Sequence, residues 1–193
     1  MLLALASVVT SWSGYQASLW GGIQSTNYNQ ANALRTESAR DSTQAGQQVG
    51  LDIALFMAWV NAKASSNDHL AEFYYQRFRP EFRQAFDAWL ATKPLSNAQA
   101  PGTPFDLPVY RTKRGQEARD LERQSESLFE AGHRANHVAD TYVLGTVLLA
   151  TVLFFCGIVQ QFKDFRTRVF LLTLALIIFI FGLSRILVLP VAT

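Results

Sequence analysis

A single cysteine, Cys156, stands among 193 residues. An intrachain disulfide is therefore excluded, and so are zinc sites built on several thiolates. Cys156 lies inside an apolar run and reads as a small buried side chain. Charge is scarce at the start of the chain, where no Asp, Glu, Lys or Arg precedes Arg35. A strongly basic stripe is absent too. From Ile23 to Thr141 there are 13 Lys/Arg against 14 Asp/Glu, and the rest of the chain holds Lys163, Arg166, Arg168 and Arg185 against Asp164 alone. The net charge of +2 thus comes from the apolar C-terminal part and indicates no nucleic-acid partner. No Walker loop, G-x-G-x-x-G, G-x-S-x-G, H-E-x-x-H or EF-hand loop occurs, and no pair of carboxylates stands out for acid–base work. The expectation is a non-enzymatic protein with no resident cofactor, a divalent metal ion being the one alternative.

What the chain does have is long apolar runs. Tyr142–Val159 is 18 residues without a charge, and Val169–Ala192 carries one charge in 24. Either can cross a hydrocarbon core of about 30 Å at 1.5 Å per residue. Residues 141–192 therefore read as a two-span hairpin, and the turn 163–168, with Lys163, Arg166 and Arg168, reads as cytoplasmic by the positive-inside bias. Residues 1–22 are apolar but diluted by Ser, Thr and Gln, with no basic n-region and no small-x-small cleavage site. They read as a first span, with Trp12, Tyr15 and Trp20 near the outer interface. Three spans put the N-terminus inside and residues 23–140 outside the membrane.

That outer part reads helical throughout. Ala17, Gln24, Ala31, Ser38, Ala45, Asp52 and Trp59 recur at heptad spacing, as do Leu121, Leu128, Ala135 and Tyr142. Ala118, Ser125, Gly132 and Ala139 form a companion row of small residues. Such rows let two helices approach closely under a left-handed supercoil. The pattern predicts two long antiparallel helices, about 14–64 and 111–161, forming an extracytoplasmic hairpin; the polar stretch 24–48 has too little apolar content to force a helix by itself. A helical cap is expected over 67–92, opened by Asn67/Asp68 and cut at Pro80. In it Phe78, Phe82, Phe86 and Trp89 share one face, interleaved with Arg77, Arg79 and Arg83. This face is either a surface for a partner or for lipid headgroups, or the small core of the cap. The Pro-rich loop 93–109, with Pro94, Pro101, Pro104 and Pro108, is expected to lie over it. Asp52, alone in an apolar stretch, reads as a capped or solvent-edge acid.

Two polar features remain. On a helix, Glu130, His133, His137 and Asp140 of "EAGHRANHVAD" fall within roughly 80° of one face, about 180° from the Leu121/Leu128/Ala135 row. The face is solvated or meets another subunit, binds a divalent ion through the i, i+4 histidines, or makes a pH-sensitive contact. Arg185 lies about 25 Å beyond Arg168 at helical rise, near the outer interface. It either snorkels, pairs with Asp140, binds anionic lipid or lines a pore.

"WSGYQASLWGG", residues 12–22, together with the hydropathy layout, resembles uncharacterised bacterial inner-membrane proteins of the domain-of-unknown-function kind. The resemblance implies a bacterial inner (plasma) membrane setting and no activity. The expected function is a homo-oligomeric integral membrane scaffold or conduit in contact with lipid. An accessory subunit of a larger membrane-protein complex and a membrane-tethered metal or pH sensor are the alternatives.

Overall fold

In the computed structural model, which describes residues 1–94 and 96–193, the chain is all-helical, with no strand among the described residues. The helices are α1 (Leu2–Ala64), α2 (Asp68–Tyr75), α3 (Pro80–Ala91), α4 (Lys113–Ile158) and α5 (Phe165–Leu187). Two of them, α4 and α5, are long and apolar enough to cross a membrane.

Each helix stops for a local reason. After α1, Ser66 turns left-handed (φ 53°), and the next amide, on Asn67, donates back to the Ala62 carbonyl at 2.9 Å. This closes the last turn, with serine where glycine is usual. The Asn67 side chain then accepts from the Leu70 amide at 3.0 Å and starts α2. Pro80 occupies the first turn of α3, where its missing N–H costs nothing. Asp164 caps α5, accepting from the Thr167 amide at 2.9 Å and the Thr167 hydroxyl at 2.8 Å. These bonds hold its carboxyl below the usual aspartate value. The helix ends at Leu187 rather than continuing to Ala192, because Pro190 supplies no amide for another turn.

The chain folds as two compact units. The first contains residues 1–32 and 126–193, the second residues 33–125. In the first unit, Ser13 Oγ donates to the Tyr142 carbonyl at 2.8 Å, and Gly132 lies against Tyr28. Later residues of α1 thus meet earlier residues of α4. A Cβ on Gly132 would sit 2.6 Å from the Tyr28 ring, so only glycine permits this approach. The side chain of α5 residue Ile186 covers Gly145, and Gly182 approaches Leu148. Tyr142, Leu149, Val152, Cys156, Ala175 and Phe179 form the buried apolar cluster, which also takes in Ala6 and Ile186.

In the second unit, Ser38 Oγ donates to the Ala118 carbonyl at 2.9 Å, and Arg114 pairs with Asp41 at 2.8 Å. The small residues anticipated at this seam, Ser38, Ala45, Ala118 and Ser125, are all buried. The rest of the unit is an aromatic core. Phe56 of α1 takes the edges or faces of Phe82, Phe86, Trp89 and Phe105, with centroids 5.4–6.4 Å apart. Within the 93–109 loop, Leu95 lies outside the described residues. Elsewhere the loop covers this core: Phe105 stacks on Phe82 at 5.1 Å, and Trp89 Nε1 donates to the Pro101 carbonyl at 2.8 Å.

Candidate functional site

Phe78, Phe82, Phe86 and Trp89 are buried, with exposures of 3, 0, 0 and 6%. The expected partner surface on these residues is therefore corrected: the face is the inside of the cap. It closes because α1, α3 and the loop each contribute rings to one cluster, leaving no room for an outside chain.

Against that core sits a buried carboxylate with several partners. Asp52 is fully buried, not at a solvent edge. Its Oδ2 accepts from Arg79 Nη2 at 2.6 Å and from the Tyr110 hydroxyl at 2.8 Å, and its Oδ1 accepts from Arg79 Nε at 3.1 Å. The two-point guanidinium fork fixes Arg79 at the start of α3, while Tyr110 brings in the end of the Pro-rich loop. The bond to Asp52 raises the Arg79 guanidinium above its ordinary value. Burial, reinforced by Asp52, raises the Tyr110 hydroxyl. Arg79 Nη1 also lies 3.4 Å from Gln48 Oε1 and 3.5 Å from Glu81 Oε2. With three donors on its two oxygens, Asp52 has little acceptor capacity left for a substrate. Its arrangement is that of a tie among α1, α3 and the loop. Asp52 shares a heptad row with Ala45 and Trp59, yet the sequence reads it as a capped or solvent-edge acid, because its partners, 27 and 58 residues away, carry no local signal.

Glu130, His133, His137 and Asp140 are all exposed on α4. His133 and His137 stand edge to face with ring centroids 4.6 Å apart. Asp140 accepts from Asn136 Nδ2 at 3.0 Å. Among the described residues no three His, Cys, Asp or Glu side chains gather to hold a metal ion. The structure brings the two histidines together and leaves the carboxylates apart.

Arg185 is exposed and, among the described residues, makes no ion pair with Asp140. Register explains the correction. Ile186 lies at Gly145, whereas Tyr142 reaches Pro190 with its hydroxyl, so Arg185 stands more than a helical turn away from the level of Asp140.

A second buried polar group escaped the sequence pattern. Gln16, fully buried in the first unit, donates from Nε2 to the Ala192 carbonyl at 3.1 Å and accepts from the Ala192 amide at 2.8 Å. Trp20 Nε1 and the Tyr142 hydroxyl both donate to the Pro190 carbonyl, at 3.1 and 3.2 Å. After α5, the Pro190 carbonyl and the Ala192 amide and carbonyl are thus bonded by side chains of α1 and α4. Beside them an apolar groove of about 280 Å³ opens between Val8, Trp12, Leu183 and Leu187. No protein-family model, no curated protein and no solved structure matches this chain.

Proposed function

We propose that the chain is a non-enzymatic, homo-oligomeric membrane scaffold with three spans, seated in a bacterial inner membrane. The N-terminal part of α1 is the first span, the second half of α4 and α5 are the other two, and residues 163–168 are cytoplasmic. Residues 23–140 form an antiparallel helical hairpin outside, closed by the aromatic cap.

The observation that carries this reading is the distribution of side chains in the first unit. Leu3, Leu5, Val8, Leu144, Val147, Phe154, Phe170, Ile177, Ile180 and Phe181 are exposed, while Ser13 and Gln16 are fully buried. Only 33 and 22% of the most apolar windows of α4 and α5 are buried. A core helix of a water-soluble protein hides its large apolar side chains; helices bathed in lipid expose them. The same logic supports a first span in α1, although that segment is less apolar than the other two. Ser13 and Gln16 point inward, where hydrogen bonds satisfy them, while the exposed Ser7 and Ser11 hydroxyls donate to carbonyls of their own helix.

The exposed Glu130/His133/His137/Asp140 face is the juxtamembrane contact between subunits. Its four side chains point away from the seam between α1 and α4, as a surface for another chain must. Three spans are too few to enclose a pathway, which favours scaffolding over conduction by one copy.

Single-cysteine labelling in a Cys156→Ser background tests the topology. Ser127→Cys should react with an impermeant maleimide in intact cells, and Phe165→Cys should react only after lysis. The reverse pattern overturns it. Native mass spectrometry in mild detergent tests assembly: a multimer is expected, and a monomer at all concentrations refutes it. Replacing both histidines, His133→Ala/His137→Ala, should weaken the multimer. An unchanged multimer in that double variant removes this face from the contact.

A further inference from the structure

On α1, from Ala39 to Ala64, one face is uncharged over its whole length. Ala39, Thr43, Gly46, Gln47, Gly50, Ile53, Ala54, Met57, Asn61 and Ala64 fall within about 60° of the direction of Gly50 at 100° per residue. All ten are exposed, including Ile53 at 44% and Met57 at 51%. The four charged residues in this stretch, Arg40, Asp41, Asp52 and Lys63, lie at least about 80° away around the helix. Elsewhere the exposed surface of the second unit is charged in the ordinary way, with Lys113, Asp120 and Arg123 on α4 alone.

The glycines on this face have no intrachain purpose. A Cβ at Gly46 or Gly50 would meet nothing within 4 Å. Glycine is the worst helix former after proline, so two of them mid-helix weaken α1 without serving the packing of the monomer. Spaced four apart, they let the backbone of another helix come close. Ile53 and Met57 on the next two turns offer the apolar contact.

We infer that this face packs against the same face of a second copy, the two α1 helices lying parallel and in register. The inference rests on the proposed membrane-anchored homo-oligomer, in which copies share one orientation. A two-fold contact between parallel helices sets each residue opposite itself. A charge there would face its own like charge, and this is the face of α1 that has none. Asn61, set opposite its own copy, has in its amide both the donor and the acceptor needed to bond it. A single amide in such a position fixes register and partner number in coiled coils. The Thr43 hydroxyl already donates to the Ala39 carbonyl at 2.8 Å and makes no such demand.

Oxidative cross-linking of the full chain in its membrane, in a Cys156→Ser background, tests the pairing alongside the native mass of the same preparations. Gly50→Cys and Met57→Cys should form disulfide dimers, since facing Cβ atoms near 4 Å can be bridged. Lys63→Cys and Leu51→Cys, exposed but turned away, should form at least tenfold less. Gly46→Leu/Gly50→Leu, which fits the open space of the single chain, should cut cross-linking at Met57→Cys at least tenfold without lowering the chain's melting temperature. That pattern establishes the pairing. A multimer by mass that cross-links equally at all four positions, or at none, overturns this inference and leaves the homo-oligomer standing. A monomer by mass overturns the homo-oligomer, and this pairing with it.

Discussion

Replacing Arg79 with alanine should destabilise the second unit more than any other single truncation of a charged residue. The reason lies in what it leaves behind. Asp52 is fully buried and takes two of its three hydrogen bonds from the guanidinium. Removing one partner of a buried pair costs about 3–5 kcal/mol, because the other charge stays dry and uncompensated. The Arg79 side chain is 26% exposed, so water can enter where it stood, which favours the low end, about 3 kcal/mol. For a unit of 60–100 residues that is a drop of more than about 10 °C in Tm. Trp59 and Trp89 stand in or against the aromatic core, so intrinsic fluorescence of the full chain in detergent, in a Trp12→Phe/Trp20→Phe background, reports this unit's melting. Tyr110→Phe keeps the ring and loses one bond to a charged group, about 1.5–3 kcal/mol. Asp52→Leu/Arg79→Met removes both charges and should melt above Arg79→Ala. If Arg79→Ala shifts the transition by less than about 2 °C, or the double replacement melts no higher than Arg79→Ala, the claim of a dry carboxylate at Asp52 is wrong.

Three further outcomes follow from the same contacts. Tyr110 keeps its proton in the folded chain above its ordinary value of 10, so its stabilising contribution is whole below pH 10 and is lost as pH climbs beyond it; Tyr110→Phe should flatten that alkaline decline in Tm. Gly132→Ala should lower the melting temperature of the first unit, since overpacking against the Tyr28 ring, about 1–3 kcal/mol, outweighs the helix propensity gained, about 1 kcal/mol; a rise would show that the ring moves freely. Gln16→Ala strips two hydrogen bonds from Ala192 and should speed hydrogen exchange at the Ala192 amide, whereas an unchanged exchange rate would show that Trp20 and Tyr142 hold the residues after α5 unaided.

Much of the helical framework is legible in the sequence because packing imposes a period on it. In the row Ala17, Gln24, Ala31, Ser38, Ala45, Asp52 and Trp59 the middle four are buried and the other three half-buried, and the row Ala118, Ser125, Gly132, Ala139 is buried at every position. The end of α1 near residue 64 and the break at Pro80 could be read from local chemistry. What could not be read is pairing at a distance. Asp52 looked like a lone acid since Arg79 and Tyr110 show no periodic relation to it. Gln16 and Ser13 seemed merely to dilute an apolar segment, whereas each satisfies a backbone group of a distant part of the chain. The aromatic face carried two meanings because periodicity tells which residues share a face, not what covers it. Phe105 and Tyr110, in a loop without period, decided the matter.

The bond between Gln16 and Ala192 spans 176 residues. During synthesis it also spans time. Gln16 leaves the ribosome with an amide that has no partner, and at 5–20 residues per second the partner follows about 10–35 s later. Under the proposed topology that amide lies unpaired in hydrocarbon until Ala192 arrives. The final seating of the segment around Gln16 therefore waits on residues made 176 positions later, and a stretch made early is among the last to settle.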